Sequence, residues 1–99
     1  MLQLINTKYE IKATSKFKKE LKKSVKQGKN INKFIEVLNI LANGKDLNIK
    51  YKDHQLTDDN KYKDCRECHI EPDWLLVNRY DNNQLILILV QTGTHSDLF

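Results

Sequence analysis

The chain reads as an α+β fold: a mainly antiparallel four-stranded sheet packed against an N-terminal helical hairpin, in the order β-α-α-β-β-β. Three observations predict it. Apolar residues recur at helical spacing only in the stretch from Phe17 to Ala42. From Cys65 onward the pattern changes to short runs broken by Pro72 and by Asp81-Asn82-Asn83, which are strand and turn signals. With 99 residues, of which 39% are hydrophobic, the chain fills one modest core, so residues 1–99 are expected to form one domain.

Each element follows from local pattern. Tyr9-Glu10-Ile11-Lys12-Ala13 alternates and predicts a first strand. Thr14 or Ser15 caps the helix after it, in which Phe17, Leu21 and Val25 form one apolar stripe. Gly28 stops that helix and Asn30 caps the next. In the second helix Ile31, Phe34, Ile35, Leu38, Leu41 and Ala42 face the core, Val37 and Ile40 widen the stripe, and Gly44 ends it. So short a connection predicts an antiparallel pair. Residues 45–64 are polar and predict a long loop, a frequent place for function. Three strands follow, at Cys65–Glu71, Asp73–Tyr80 and Gln84–Thr92, and the last is apolar on both faces, as a central strand is. Thr94–Phe99 predicts a terminal turn or short helix.

Charge is unevenly distributed. Residues 1–33 carry ten lysines against two acidic residues, and residues 34–99 carry seven basic residues against eleven acidic ones. The first helix presents Lys16, Lys18, Lys19, Lys22, Lys23 and Lys26, a cationic face suited to nucleic acid or to an acidic protein, although lysine also serves solubility. No apolar run reaches the ~20 residues needed to cross a bilayer. Met1–Asn6 lacks a basic leader and a sustained apolar stretch, so a cytoplasmic location with no membrane association is expected.

Cys65-Arg66-Glu67-Cys68-His69 matches the pattern of covalent haem attachment. That reading fails for lack of an export signal and of a methionine beyond Met1. In a strand, residues three apart point to opposite faces, which also argues against a disulfide or a shared zinc. Two free thiols, no metal and no cofactor are expected.

All three histidines lie in the second half: His54 in the long loop, His69 late in the second strand, and His95 just past the fourth. By strand parity Cys65, Glu67 and His69 share a face, and so do Asp73, Leu75, Val77 and Arg79. Antiparallel neighbours and a loop can bring His54, His69 and Asp73 to one end of the sheet, where His95 can join them. Three imidazoles and one carboxylate form a proton-transfer set. Metal-free acid–base chemistry beside a lysine-rich surface suits RNA, whose 2′-hydroxyl can attack the adjacent phosphate.

Lys52-Asp53-His54-x-Leu56, Arg66-x-x-His69-Ile70-x-Pro72-Asp73-Trp74-Leu75-Leu76 and Thr92-Gly93-Thr94-His95-Ser96-Asp97-Leu98-Phe99, in this order, resemble the YafQ branch of the RelE/ParE toxin superfamily. The resemblance covers nearly the whole chain. It implies a RelE-like fold and a type II toxin–antitoxin toxin that cuts mRNA in the ribosomal A site. It implies an active site at His54, His69, Asp73 and His95, with Trp74 beside it and Phe99 supporting it or touching RNA. His95 is then the general acid, His54 or Asp73 the base, and His69 an orienting or charge-sharing group. The implied partners are a small antitoxin, the ribosome with its RNA, and mRNA. The lysine helix would grip ribosomal RNA.

One position departs from the family pattern. An arginine usually stands before Thr-Gly-Thr-His, and here it is Gln91. Loss of that charge is expected to lower activity, unless Arg79 or Arg66 replaces it. The rival function is a non-nucleolytic ParE-like inhibitor, for which an acid–base cluster has no use. An inactive toxin that serves only as the antitoxin's partner is a third reading.

Overall fold

The computed structural model describes residues 7–56 and 62–98. Its elements are β1 (Glu10–Ala13), α1 (Ser15–Lys26), α2 (Ile31–Ala42), a 3-10 turn (Ile49–Tyr51), β2 (His54–Gln55), β3 (Arg66–Glu71), β4 (Trp74–Asp81), β5 (Ile86–Gly93) and α3 (His95–Leu98). The strands form one five-stranded sheet in the order β1-β5-β4-β3-β2. β1 runs parallel to β5, and every other pairing is antiparallel. The expected four strands are therefore corrected to five. The additional one, β2, pairs His54 with Glu67 and Gln55 with Arg66 inside the stretch expected to be loop. It is two exposed polar residues long, so it carries no hydrophobic alternation by which a sequence could reveal it.

Both long helices begin where their caps predict. Thr14 accepts the N–H of Phe17, and Asn30 accepts that of Asn32. α1 buries a different stripe from the one expected. Val25 is 48% exposed, and Ser24 takes the inward place, one turn beyond Leu21, at 3% exposure. Its hydroxyl donates to the carbonyl of Glu20 at 2.9 Å, which makes that burial tolerable. α2 follows its predicted stripe, with Phe34, Val37, Leu38, Leu41 and Ala42 buried.

The main core lies between these helices and the sheet. Phe17, Phe34, Leu38 and Leu41 pack there with Cys68, Ile70, Trp74, Leu76, Leu87 and Leu89. A smaller cluster of Tyr62, Cys65, Leu75, Val77 and Leu98 covers the opposite face. Cys65 and Cys68 thus occupy different clusters and both thiols are free. Burial pushes the Cys68 thiol up to about 12, so it stays protonated and inert at neutral pH. No helix among the described residues is long and apolar enough to cross a membrane.

Candidate active site

The candidate site lies on the sheet face opposite α1 and α2. Strand register builds it. One row across the sheet is His54, Glu67, Val77 and Gln91, and the next is His69, Leu75 and Gly93. Two bulges set these rows. In β5 the register shifts beside Val77 and Asn78, so Val90 is the extra residue. Leu87 and Leu89 face the helices, and without that shift Gln91 would follow them. In β3 the shift falls between His69 and Glu71. It leaves His69 on the site face and turns Glu71 toward α2, where its carboxylate accepts the N–H of Asn30 at 3.3 Å.

The imidazoles gather here. The rings of His69 and His95 lie 5.6 Å apart between centroids. Nδ1 of His95 is 3.9 Å from Oδ1 of Asp73, and both side chains are more than half exposed. Nδ1 of His69 is 3.3 Å from the carbonyl of Pro72. A carbonyl only accepts, so that nitrogen carries a hydrogen, and in the neutral ring the lone pair is on Nε2. The same logic fixes His54, whose Nδ1 is 2.7 Å from the carbonyl of Lys52. Its Nε2 then faces Oε1 of Glu67 at 3.6 Å.

Glu67 is the group that sequence reasoning left out of the site. It is 4% exposed, and its Oε2 has no hydrogen-bond partner among the described residues. Its shared parity with His69 was the available signal. It links His54 to the other two histidines, because Glu67, His69 and His95 each bring a ligand atom within 4.8 Å of the others. One carboxylate and two imidazoles could hold a divalent ion such as zinc or copper(II), although no metal was expected from the sequence.

His95 is braced from α1. Glu20 accepts the N–H of Thr92 at 3.2 Å, and Thr14 donates its hydroxyl to the carbonyl of Val90 at 2.8 Å. Thr94 and Asp97 exchange side-chain-to-backbone hydrogen bonds across the first turn of α3. These bonds, with Lys23 at 3.5 Å, hold the Asp97 carboxyl below its usual range. It therefore stays ionised at neutral pH, and the brace is lost only as pH falls through that lowered value. A Cβ on Gly93 would lie 3.0 Å from Cβ of Asp97, so glycine is what lets α3 fold back so closely.

The other expected site residues fall in different places. Trp74 is fully buried, 6.3 Å from the Phe34 ring between centroids. It supports the site from the core and offers no surface to a substrate. Gln91 is 4% exposed, and its Oε1 accepts from the Tyr62 hydroxyl at 3.4 Å. Arg66 pairs with Asn78 in the sheet, on the helix side, and its guanidinium is held by Asp53 at 3.2 Å. Arg79 shares the site face but stands four residues, about 13 Å, along β4 from Leu75 in the His69 row. Arg66 is thus on the wrong face to take the place before Thr92, whereas Arg79 stands on the site face two residues, about 7 Å, along β4 from Val77 in the Gln91 row. Lys16, Lys18, Lys19, Lys22, Lys23 and Lys26 are exposed on α1. Phe99 lies outside the described residues.

Residues 9–99 match the family described as bacterial toxin of type II toxin-antitoxin system, YafQ. The mRNA interferase toxin YafQ of Escherichia coli is 34% identical over 91 residues, which span 91% of this chain and 95% of that protein. A metal-bound toxin from Helicobacter pylori superposes with a TM-score of 0.84 at 42% identity, covering 92% of this chain and 99% of that one. The toxin of the E. coli DinJ-YafQ complex gives 0.82 at 34% identity, covering 92% and 98%.

Proposed function

The chain belongs to the YafQ family of bacterial type II toxin–antitoxin toxins, and from that premise we propose that it is a ribosome-dependent mRNA endoribonuclease. The observation that carries the reading is the meeting of His69 and His95 beside Asp73. Support comes also from the relatives, which are named mRNA interferases.

In the proposed reaction a base removes the 2′-hydroxyl proton and the oxygen attacks the adjacent phosphorus. The bond to the 5′-oxygen breaks as an acid protonates it. The products are a 2′,3′-cyclic phosphate and a 5′-hydroxyl. His95 is the acid, with Asp73 beside its Nδ1. His54 suits the base better than Asp73, because its Nδ1–H is anchored and Glu67 can stabilise the imidazolium that forms at Nε2. His69 shares charge between them. A metal on Glu67, His69 and His95 would occupy nitrogens that move protons, so no step is assigned to it.

The lysines of α1 would hold ribosomal RNA, since phosphate contacts position while base contacts specify. The protein partner is a small antitoxin, by analogy with the relative bound to DinJ. The cytoplasm is the expected compartment.

Purified protein should cut mRNA on programmed ribosomes and leave free mRNA intact. A chelator that takes zinc and copper but spares ribosomal magnesium should not slow it. Uncut message on ribosomes to which the protein is bound would contradict the assignment.

A further inference from the structure

A groove of about 410 Å³ opens between α2 and the Ile49–Tyr51 turn and runs up to His69. Lys33, Lys50 and Lys52 line it, with Tyr51, Ile70 and Pro72 as its apolar part. The expected RNA-binding lysines were all on α1, and none of these three was among them. We propose that this groove is the mRNA subsite beside the scissile phosphate, with Lys50 and Lys52 on the neighbouring phosphate and Tyr51 and Pro72 against a ribose or base. The proposal rests on the ribonuclease reading and deepens it.

Three observations support it. The groove is continuous with the proton-transfer set, since His69 is one of its walls. Its backbone also positions that set: the carbonyl of Lys52 anchors His54, and the carbonyl of Pro72 anchors His69. Lys52 adopts a left-handed conformation (φ 51°) as the chain turns between the groove and His54. A strand lying here would thus press on the two residues that hold the imidazoles.

The charges also fit. Lys33, Lys50 and Lys52 are exposed and form no salt bridge among the described residues. Glu36 and Glu71 also line the groove, and Glu71 is drawn toward the start of α2 by Asn30. With Gln91 neutral and Arg66 paired with Asp53, these lysines are the cations that share a groove with His69 among the described residues. The volume is within the usual range for small-ligand sites, roughly 300–1,000 Å³.

The test compares wild type, Lys50→Ala/Lys52→Ala and Lys18→Ala/Lys22→Ala. Binding is measured to ribosomes without message and to ribosomes carrying an mRNA made uncleavable by 2′-O-methyl groups in the A-site codon. Cutting is measured on ordinary mRNA. The groove variant should lose about tenfold in affinity for programmed ribosomes, show a shallower salt dependence, and bind message-free ribosomes as wild type does. The α1 variant should lose affinity for both. Melting temperatures should match, because the replaced side chains are exposed. A groove variant that binds and cuts like wild type, or weakens equally on message-free ribosomes, would overturn the subsite while the ribonuclease reading stands. A wild-type protein that cuts nothing would overturn both.

Discussion

His95→Ala is expected to slow mRNA cutting on the ribosome by about 10²–10⁴-fold, the usual contribution of a positioned general acid or base. His95 sits at the first residue of α3, more than half exposed, with its ring against His69 and Asp73 near its Nδ1. Departure of the 5′-oxygen as an alkoxide is the costly event, and a proton from His95 removes that cost. The fold should survive, because α3 is held by Thr94, Asp97 and buried Leu98 and not by the imidazole. Single-turnover cutting beside a thermal melt separates the two effects. Asp73→Asn acts through the same acid, so adding it to His95→Ala should cost little more. A His95→Ala protein with the wild-type rate and an unchanged melt would remove this residue from the chemistry.

Gln91→Arg is expected to raise the cutting rate by roughly 10²–10³-fold, the size of one preorganised electrostatic stabiliser of a developing oxyanion. Gln91 stands in the same row as Glu67 and one row from His69. A guanidinium here can donate to phosphate oxygens as their charge grows. It also has a partner in the ground state. Oε2 of Glu67 is buried and unpaired among the described residues, two strand spacings or about 10 Å away, a gap the two side chains span together. The variant should therefore bear the buried charge without losing stability. An unchanged rate would mean that the missing charge is not limiting.

The helices were legible because their signals are local. Thr14 and Asn30 cap where their side chains predict, and α2 buries the residues its period selects. Ser24 escaped notice because a serine bonded to the carbonyl of Glu20 is as buriable as the valine beside it. β2 escaped because pairing with β3, and no pattern of its own, makes it a strand. The meeting of His69, Asp73 and His95 could be anticipated from parity and chain order. Parity also put Glu67 on the face of His69, but its burial could not be foreseen, because an acidic residue between two cysteines in a strand looks like any solvent-facing position. Its burial depends on the β4–β5 bulge and on the second cluster, both products of tertiary packing. Trp74 was readable as core or as site, and alternation along β4 puts it opposite Leu75, on the helix side. The groove joins α2, the 3-10 turn and β3, so no single stretch of sequence announces it.

Attack by a ribose 2′-hydroxyl is the step on which the proposed chemistry turns. It is tested most directly by a message carrying one 2′-deoxynucleotide immediately 5′ of the mapped cut, placed in the A site and incubated with wild-type protein. This bond should survive while an all-ribose message in the same register is cut to a 2′,3′-cyclic phosphate and a 5′-hydroxyl. Cutting of the deoxy-substituted bond at the all-ribose rate would contradict it, since a water or another nucleophile would then be doing the chemistry.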